Sequence, residues 1–181
     1  MPAGFTRTAA AVPLAAALLA LASCGPSGDE FAPACPRPAI LSDAADLSVY
    51  RSAQGGDLTD LVVGGRITDI SGKCAPGDRK NTVKAAATIT MRLSRGPALQ
   101  GQQVQIPYFV AVTEGDRILD KQVYQTGAAF PANTDQITVT TQAVDLLLPV
   151  SPAKSAAAYT ILVGFQLTPD QLEANRRRGA R

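Results

Sequence analysis

Asp57 and Asp60 sit three apart in GGDLTDL, and Asp116 and Asp120 flank the start of a hairpin strand in GDRILD. Paired carboxylates can divide acid and base roles in glycoside hydrolysis, or ligate calcium. The same spacing is ordinary for loop acids that cap, turn and solubilise. A sugar-processing cleft also calls for aromatic platforms, and this chain has 5 Phe, 4 Tyr and no Trp. Ser151 and Lys154 match S-x-x-K in SPAK, but Pro152 sets the pair in a turn rather than on the helix that usually presents it. The sequence contains no histidine, which removes Ser-His-Asp and Cys-His catalysis and the commonest metal ligand together. Beyond Met1 the one methionine is Met91, so a methionine-based copper site lacks its ligands. Gly55-Gly56 and Gly64-Gly65 lack the strand-to-helix setting of a phosphate loop and read as turns or bulges. No catalytic residue, cofactor or metal site is expected. Asp57 and Asp60 are the acidic pair that a carboxylate-dependent cell-wall or glycan-acting enzyme would use.

The three cysteines carry other chemistry. Arg7 is the single charge before Asp29, and Ala9 to Ala22 is almost wholly apolar. That is a basic region and an apolar core of signal-peptide length, short for a membrane span. Leu21-Ala22-Ser23-Cys24 follows the bacterial lipobox pattern, with small residues before the cut and a thiol after it. Residues 1–23 therefore read as a lipoprotein signal peptide, helical in the precursor, and Cys24 as the site of lipidation. Several acyl chains, palmitate among them, hold far better than one, at about 0.8 kcal/mol per buried CH₂. Gly25 stands where an inner-membrane retention signal would place aspartate, so the outer membrane, facing the periplasm, is the expected location. Cys35 and Cys74 then remain as an even pair in an oxidising compartment, and a disulfide between them is expected. It would tie the start of the domain to a loop after an early strand.

The elements around these residues are strands. Val83, Ala85, Ala87, Ile89, Met91 and Leu93 share one face of a period-two run from Thr82 to Ser94. Val104, Ile106, Tyr108, Val110 and Val112 repeat the pattern, and Thr113–Arg117 supplies turn residues before a partner from Ile118 to Tyr124. Pro107 removes a ladder donor, which predicts an edge strand or a bulge. Ile137, Val139 and Thr141 change phase before Val144, Leu146 and Leu148, which predicts a bulge near Gln142 or Ala143. Leu47–Arg51, Leu61–Ile70 and Tyr159–Leu167 complete about seven strands with no helix between them. An all-β, antiparallel immunoglobulin-like sandwich spanning residues 43–167 is the expected fold, with a small barrel as the alternative. Residues 24–42, bearing Pro26, Pro33, Pro36 and Pro38, read as a lipidated, flexible tether.

Residues 168–181 read as a short α-helix and basic tail. Thr168 is the N-cap, Pro169 the first helical residue and Gln171 the reciprocal capping partner, with Leu172 as the main apolar contact. Arg176, Arg177 and Arg178 match the negative end of the helix dipole, and with Arg181 they offer an anionic surface a contact. With 17 basic and 15 acidic residues the chain is nearly neutral, which argues against nucleic acid.

The stretches LASC, CPRPAIL, LSVYRSAQGGDLTDLVVGGRI, IPYFVAVTEGDRILDKQVY and YTILVGFQLTPDQLEANR together resemble a group of uncharacterised proteobacterial envelope lipoproteins with a single β-sandwich domain. The resemblance implies a lipid-anchored protein of the outer membrane or periplasm and transfers no active-site residue. The expected function is non-enzymatic: a binding or assembly-support module for another envelope component. Its docking strand would be the Pro107 strand or the final strand. A small-ligand or lipid carrier is a further alternative, and it would need a pocket lined by Phe109, Tyr124 or Phe130.

Overall fold

The computed structural model describes residues 35–52 and 57–179. Residues 1–23, expected to be a signal peptide, and Cys24, Gly55-Gly56 and Arg181 lie outside the described residues. Within them the chain forms nine strands and one α-helix: β1 Arg37–Ile40, β2 Asp46–Tyr50, β3 Leu61–Pro76, β4 Thr82–Arg95, β5 Gln103–Glu114, β6 Arg117–Ala129, β7 Gln136–Thr140, β8 Val144–Pro149, β9 Thr160–Phe165 and α1 Pro169–Arg178. Sheet A runs β1-β9-β5-β6, and sheet B runs β2-β3-β4 with β7 and β8 both against β4.

The fold is an all-β sandwich. The predicted face of β4 is its core face: Ala85, Ala87, Ile89, Met91 and Leu93 are buried, and so are Ile161, Val163 and Phe165 of β9. Phe130, Tyr159, Phe165, Ile89 and Met91 are the largest fully buried side chains, so residues from both sheets fill the interior. That arrangement follows from apolar residues at every second position of strands from two sheets.

Several details depart from the sequence reading. β1 lies within the segment read as a tether, and it pairs with β9 in parallel, so sheet A is mixed. The first and last strands can pair this way because the whole domain serves as their crossover. Gly64 and Gly65 sit mid-strand in a regular ladder rather than in a turn; a Cβ on Gly65 would lie 3.0 Å from Leu93 and 3.2 Å from Phe165. The bulge of β3 falls between Ile67 and Asp69 instead. Cys74 lies inside β3, opposite Ala85, not in a loop after it.

The predicted phase slip is a three-residue break between β7 and β8. Thr141 fills it: its N–H donates to the Ile89 carbonyl at 2.9 Å, and its Oγ1 accepts from the Ile89 N–H at 3.1 Å. A side chain thus replaces one rung of the ladder and lets the two strands follow β4 in opposite phase.

Pro107 is not at an edge. β5 lies between β9 and β6, and β9 lies between β1 and β5, so the two expected docking strands are paired on both sides along Tyr108–Thr113 and Thr160–Val163. The Pro107 carbonyl accepts from the Gln166 N–H at 3.0 Å, which turns its ring nitrogen toward β9 as well. β9 pairing ends at Phe165, opposite Tyr108, so Pro107 falls where no ladder donor is needed.

Outside sheet A, Phe109 and Ala111 form a second small core with Ala44 from the 3-10 helix Ser42–Ala44. Gly164 allows this approach: a Cβ there would stand 2.7 Å from the Ala44 Cβ and from the Phe109 ring.

Candidate functional site

Edge strands leave backbone donors and acceptors unpaired, and proteins blunt them or use them. This sandwich has edges at β1 and β6 in sheet A, and at β2 and β7/β8 in sheet B. β2 pairs with β3 only as far as Arg66, so Asp69–Pro76 of β3 is also an edge among the described residues, and it carries the Cys74 bridge to Cys35 and ends at Pro76. β1 is four residues long and contains Pro38. β7 and β8 are five and six residues long and are broken at Thr141. β2 is covered by α1: Gln171 Nε2 donates to the Ser48 carbonyl at 3.1 Å and Asn175 Nδ2 to the Asp46 carbonyl at 2.8 Å. Alternate residues of a strand point their carbonyls the same way, so these two amides take over acceptors along the outer side of β2.

β6 differs from all of these. It runs for 13 residues and among the described residues pairs only with β5. A two-residue turn at Gly115 and Asp116 starts it, with Gly115 at φ 56°. Ile118, Lys121, Val123 and Gln125 lie on its outer face, opposite Thr113, Ala111, Phe109 and Pro107. Ile118 and Val123 are 63% and 53% exposed, which is high for apolar side chains. The Lys121 ammonium lies between them in sequence, 4.5 Å from the Phe109 ring centroid. Leu119 is the extra residue of a bulge at the Val112/Thr113 register shift. Bulge and lysine guard the first part of the edge, and Gln122–Ala129 continues in unbroken register.

Beside β6 the two sheets part. A cleft of about 560 Å³ opens between Tyr124, Thr126 and Gly127 of β6 and Ala143 to Asp145. Tyr108 and Tyr124 stack at its base, with ring centroids 5.5 Å apart. Burial pushes the Tyr108 phenol above its ordinary value, so it stays neutral. Of the aromatics expected to line a carrier pocket, Tyr124 lines this cleft. Phe130 is fully buried in the core, and Phe109 belongs to the outer cluster.

The acidic pair serves the loop before β3. Asp57 caps a 3-10 helix (Leu58–Asp60) by accepting from the Thr59 N–H at 2.9 Å, and that bond holds its carboxyl below the usual range. Asp60 accepts from the Ser52 hydroxyl at 2.9 Å. Neither faces the cleft. Ser151 and Lys154 close a turn through paired backbone bonds of 2.8 and 3.0 Å. The Lys154 ammonium binds Glu114 at 2.6 Å and lies over the Tyr159 ring. Glu114 pushes the lysine up, the reverse of what a general base needs.

At the other end of the chain, α1 carries the predicted capping box, with Thr168 and Gln171 bonded reciprocally. Arg176 pairs with Asp43 at 3.0 Å and Arg177 with Glu173 at 2.6 Å, and Arg178 donates to Asn175 Oδ1. The anchor of α1 is Asn175, not Leu172 alone; at i+3 it shares the Leu172 face, and only its polar side chain hid it from a reading by apolar residues. Cys35 and Cys74 are disulfide-bonded, with Cα atoms 6.1 Å apart, joining the entry to β1 with β3 of the opposite sheet. Among the described residues no group of acids or cysteines is arranged to hold a metal, and no helix is long and apolar enough to cross a membrane. No protein-family model, curated protein or solved structure matches the chain.

Proposed function

We propose that this protein is a lipid-anchored envelope lipoprotein that binds another envelope protein along the β6 edge, without catalysis. The observation that carries the reading is the inequality of the edges: β1, β2 and β7/β8 are short, interrupted or covered, Asp69–Pro76 of β3 carries the disulfide and ends in proline, and β6 runs open for 13 residues. An extended segment laid beside Gln122–Ala129 would gain main-chain hydrogen bonds from an already ordered strand. Side chains give the partner its chemistry. Val123 within this stretch and Lys121 just before it favour a segment that sets an apolar residue next to an acidic one. The immunoglobulin-like character of the fold is part of this proposal and is supported by two packed, mostly antiparallel sheets.

The anchoring half rests on the lipobox at Leu21–Cys24 and on the resemblance to envelope lipoproteins. Support also comes from the disulfide, which suits an oxidising compartment. Outer-membrane attachment facing the periplasm is the location this implies. The capped and paired states of Asp57, Asp60 and Lys154 weigh against the enzyme alternative, and the filled interior weighs against the carrier.

Chemical crosslinking in intact cells at native expression, read by mass spectrometry, tests the reading. A reproducible protein partner crosslinked through Lys121 is the expected result. Recovery of no reproducible partner contradicts it.

A further inference from the structure

The register of sheet B sets two arginines side by side. Arg66 of β3 is directly opposite Arg92 of β4, in a row that runs Asp46, Arg66, Arg92, Thr138 across the outer face. Like charges directly opposite on neighbouring strands destabilise a sheet. Asp46 answers one of them, taking Arg66 in a two-pronged contact at 2.8 Å on each side. Arg92 is exposed and has no carboxylate partner among the described residues.

The next row is Ser48, Gly64, Ser94, Gln136. At its centre Gly64 makes room for its neighbour: a Cβ there would fall 2.7 Å from Ser94 Oγ, so the serine hydroxyl lies over the glycine. Over this floor stands the C-terminal end of α1. Together they enclose a groove of about 410 Å³, lined by Arg92, Arg178, Ser48, Gly64, Ser94 and Gln136 among others. Asp43 and Asp46 also border it, but each is engaged, with Arg176 and with Arg66. The unanswered charge of the groove is therefore the pair Arg92 and Arg178.

We infer that this groove is an anion site that grips a phosphoryl group between Arg92 and Arg178, above the Gly64 and Ser94 floor. A guanidinium fork matches two oxygens of an oxyanion, and one fork satisfies a carboxylate. Two forks with hydroxyl and amide donors from Ser48, Ser94 and Gln136 match a group with more oxygens. The glycine leaves room for the Ser94 hydroxyl, which lines the groove as a donor. Bound charge would also relieve the repulsion built into the Arg66 and Arg92 register. A phosphoryl group can come from a lipid headgroup or from a soluble phosphate ester, and the chemistry of the groove is the same for both.

The test titrates the full chain, held in neutral detergent micelles, with inorganic phosphate. Backbone-amide NMR shifts and the thermal midpoint are followed. The expected result is saturable shifts around Gly64, Ser94 and Arg178 and a midpoint that rises with phosphate. Arg92→Gln and Arg178→Gln should each weaken binding about tenfold or more, the loss of one charge-assisted fork. Arg177→Gln, which breaks a pair outside the groove, should leave binding intact. Arg92→Gln also removes a like-charge neighbour, so its midpoint without phosphate should be unchanged or higher, which separates lost binding from lost folding. No saturable response, or equal weakening by Arg177→Gln, overturns the proposal. Vesicles then identify the source. Capture by phosphatidylglycerol over phosphatidylcholine that depends on Arg92 supports a headgroup; phosphate binding without it supports a soluble ester.

Discussion

Asn175 of α1 donates through one amide nitrogen to two main-chain carbonyls, those of Asp43 at 2.9 Å and Asp46 at 2.8 Å, more than 120 residues earlier in the chain. A ten-residue helix has little stability of its own and must be held by packing. Here the holding group is polar and buried, and it also covers the outer side of β2. Asn175→Ala should cost about 2 kcal/mol, because two part-buried carbonyls lose a donor at once. Urea denaturation gives the magnitude. Amide hydrogen exchange should show α1 and β2 opening before β4 and β5.

The disulfide is the second support. It closes a loop across 39 positions, from the entry of β1 to β3 in the other sheet. Chain entropy for a loop of that size is worth about 4 kcal/mol. Replacing Cys35 and Cys74 with serine should lower stability by about that amount, read by urea denaturation, with a steeper slope because the freed denatured chain exposes more surface.

A third prediction concerns the close approach on the outside of sheet A. Gly164→Ala would press a methyl group against Ala44 and the Phe109 ring, each 2.7 Å from the new carbon. Overpacking of this kind costs about 1–3 kcal/mol. The 3-10 helix Ser42–Ala44 should shift outward, and a structure of the variant would show it.

Acid should loosen the turn end of the sandwich. Glu114 is held below its ordinary value first by Lys154 and then by Arg117. A carboxyl depressed in the folded state stabilises fully above its unfolded value and loses that contribution as pH falls through the folded one. Glu114→Gln should therefore flatten the acid limb of the stability curve below the ordinary carboxylate range. Lys154 is raised, so its contribution is present below its unfolded value and is lost as pH rises through the folded one. Thermal midpoints across pH for the protein and for Glu114→Gln check both signs.

Much of the core was legible because burial on one face imposes a period of two. Ile89, Met91 and Leu93 announce the inner face of β4 in any window that contains them, and the capping residues Thr168, Pro169 and Gln171 announce α1 in the same local way. Strand order was not legible, since pairing joins residues far apart. Pro107 argues for an edge when only its missing donor is considered; in the sheet, β9 ends before the donor is needed. β1 was hidden by its prolines, which suit a tether as well as a short edge strand. Gly64 and Gly65 suggest a turn locally, and only Leu93, Phe165 and Ser94 from distant positions show why the strand needs them. The candidate site was out of reach for the same reason. The exposed residues of β6 gain meaning only once the other edges are seen to be short, broken, covered or, on β3, tied by the disulfide.

The open edge is the central claim, and site-by-site photo-crosslinking in intact cells tests it most directly. A photoreactive residue would be placed singly at positions from Gln122 to Ala129, and at Ser48 on the covered β2 edge as a control. A strand docked beside β6 predicts adducts to one protein partner that rise and fall with a period of two along the strand, and none from Ser48. Adducts of equal strength from every position and from Ser48, or no partner adduct along β6, would contradict it.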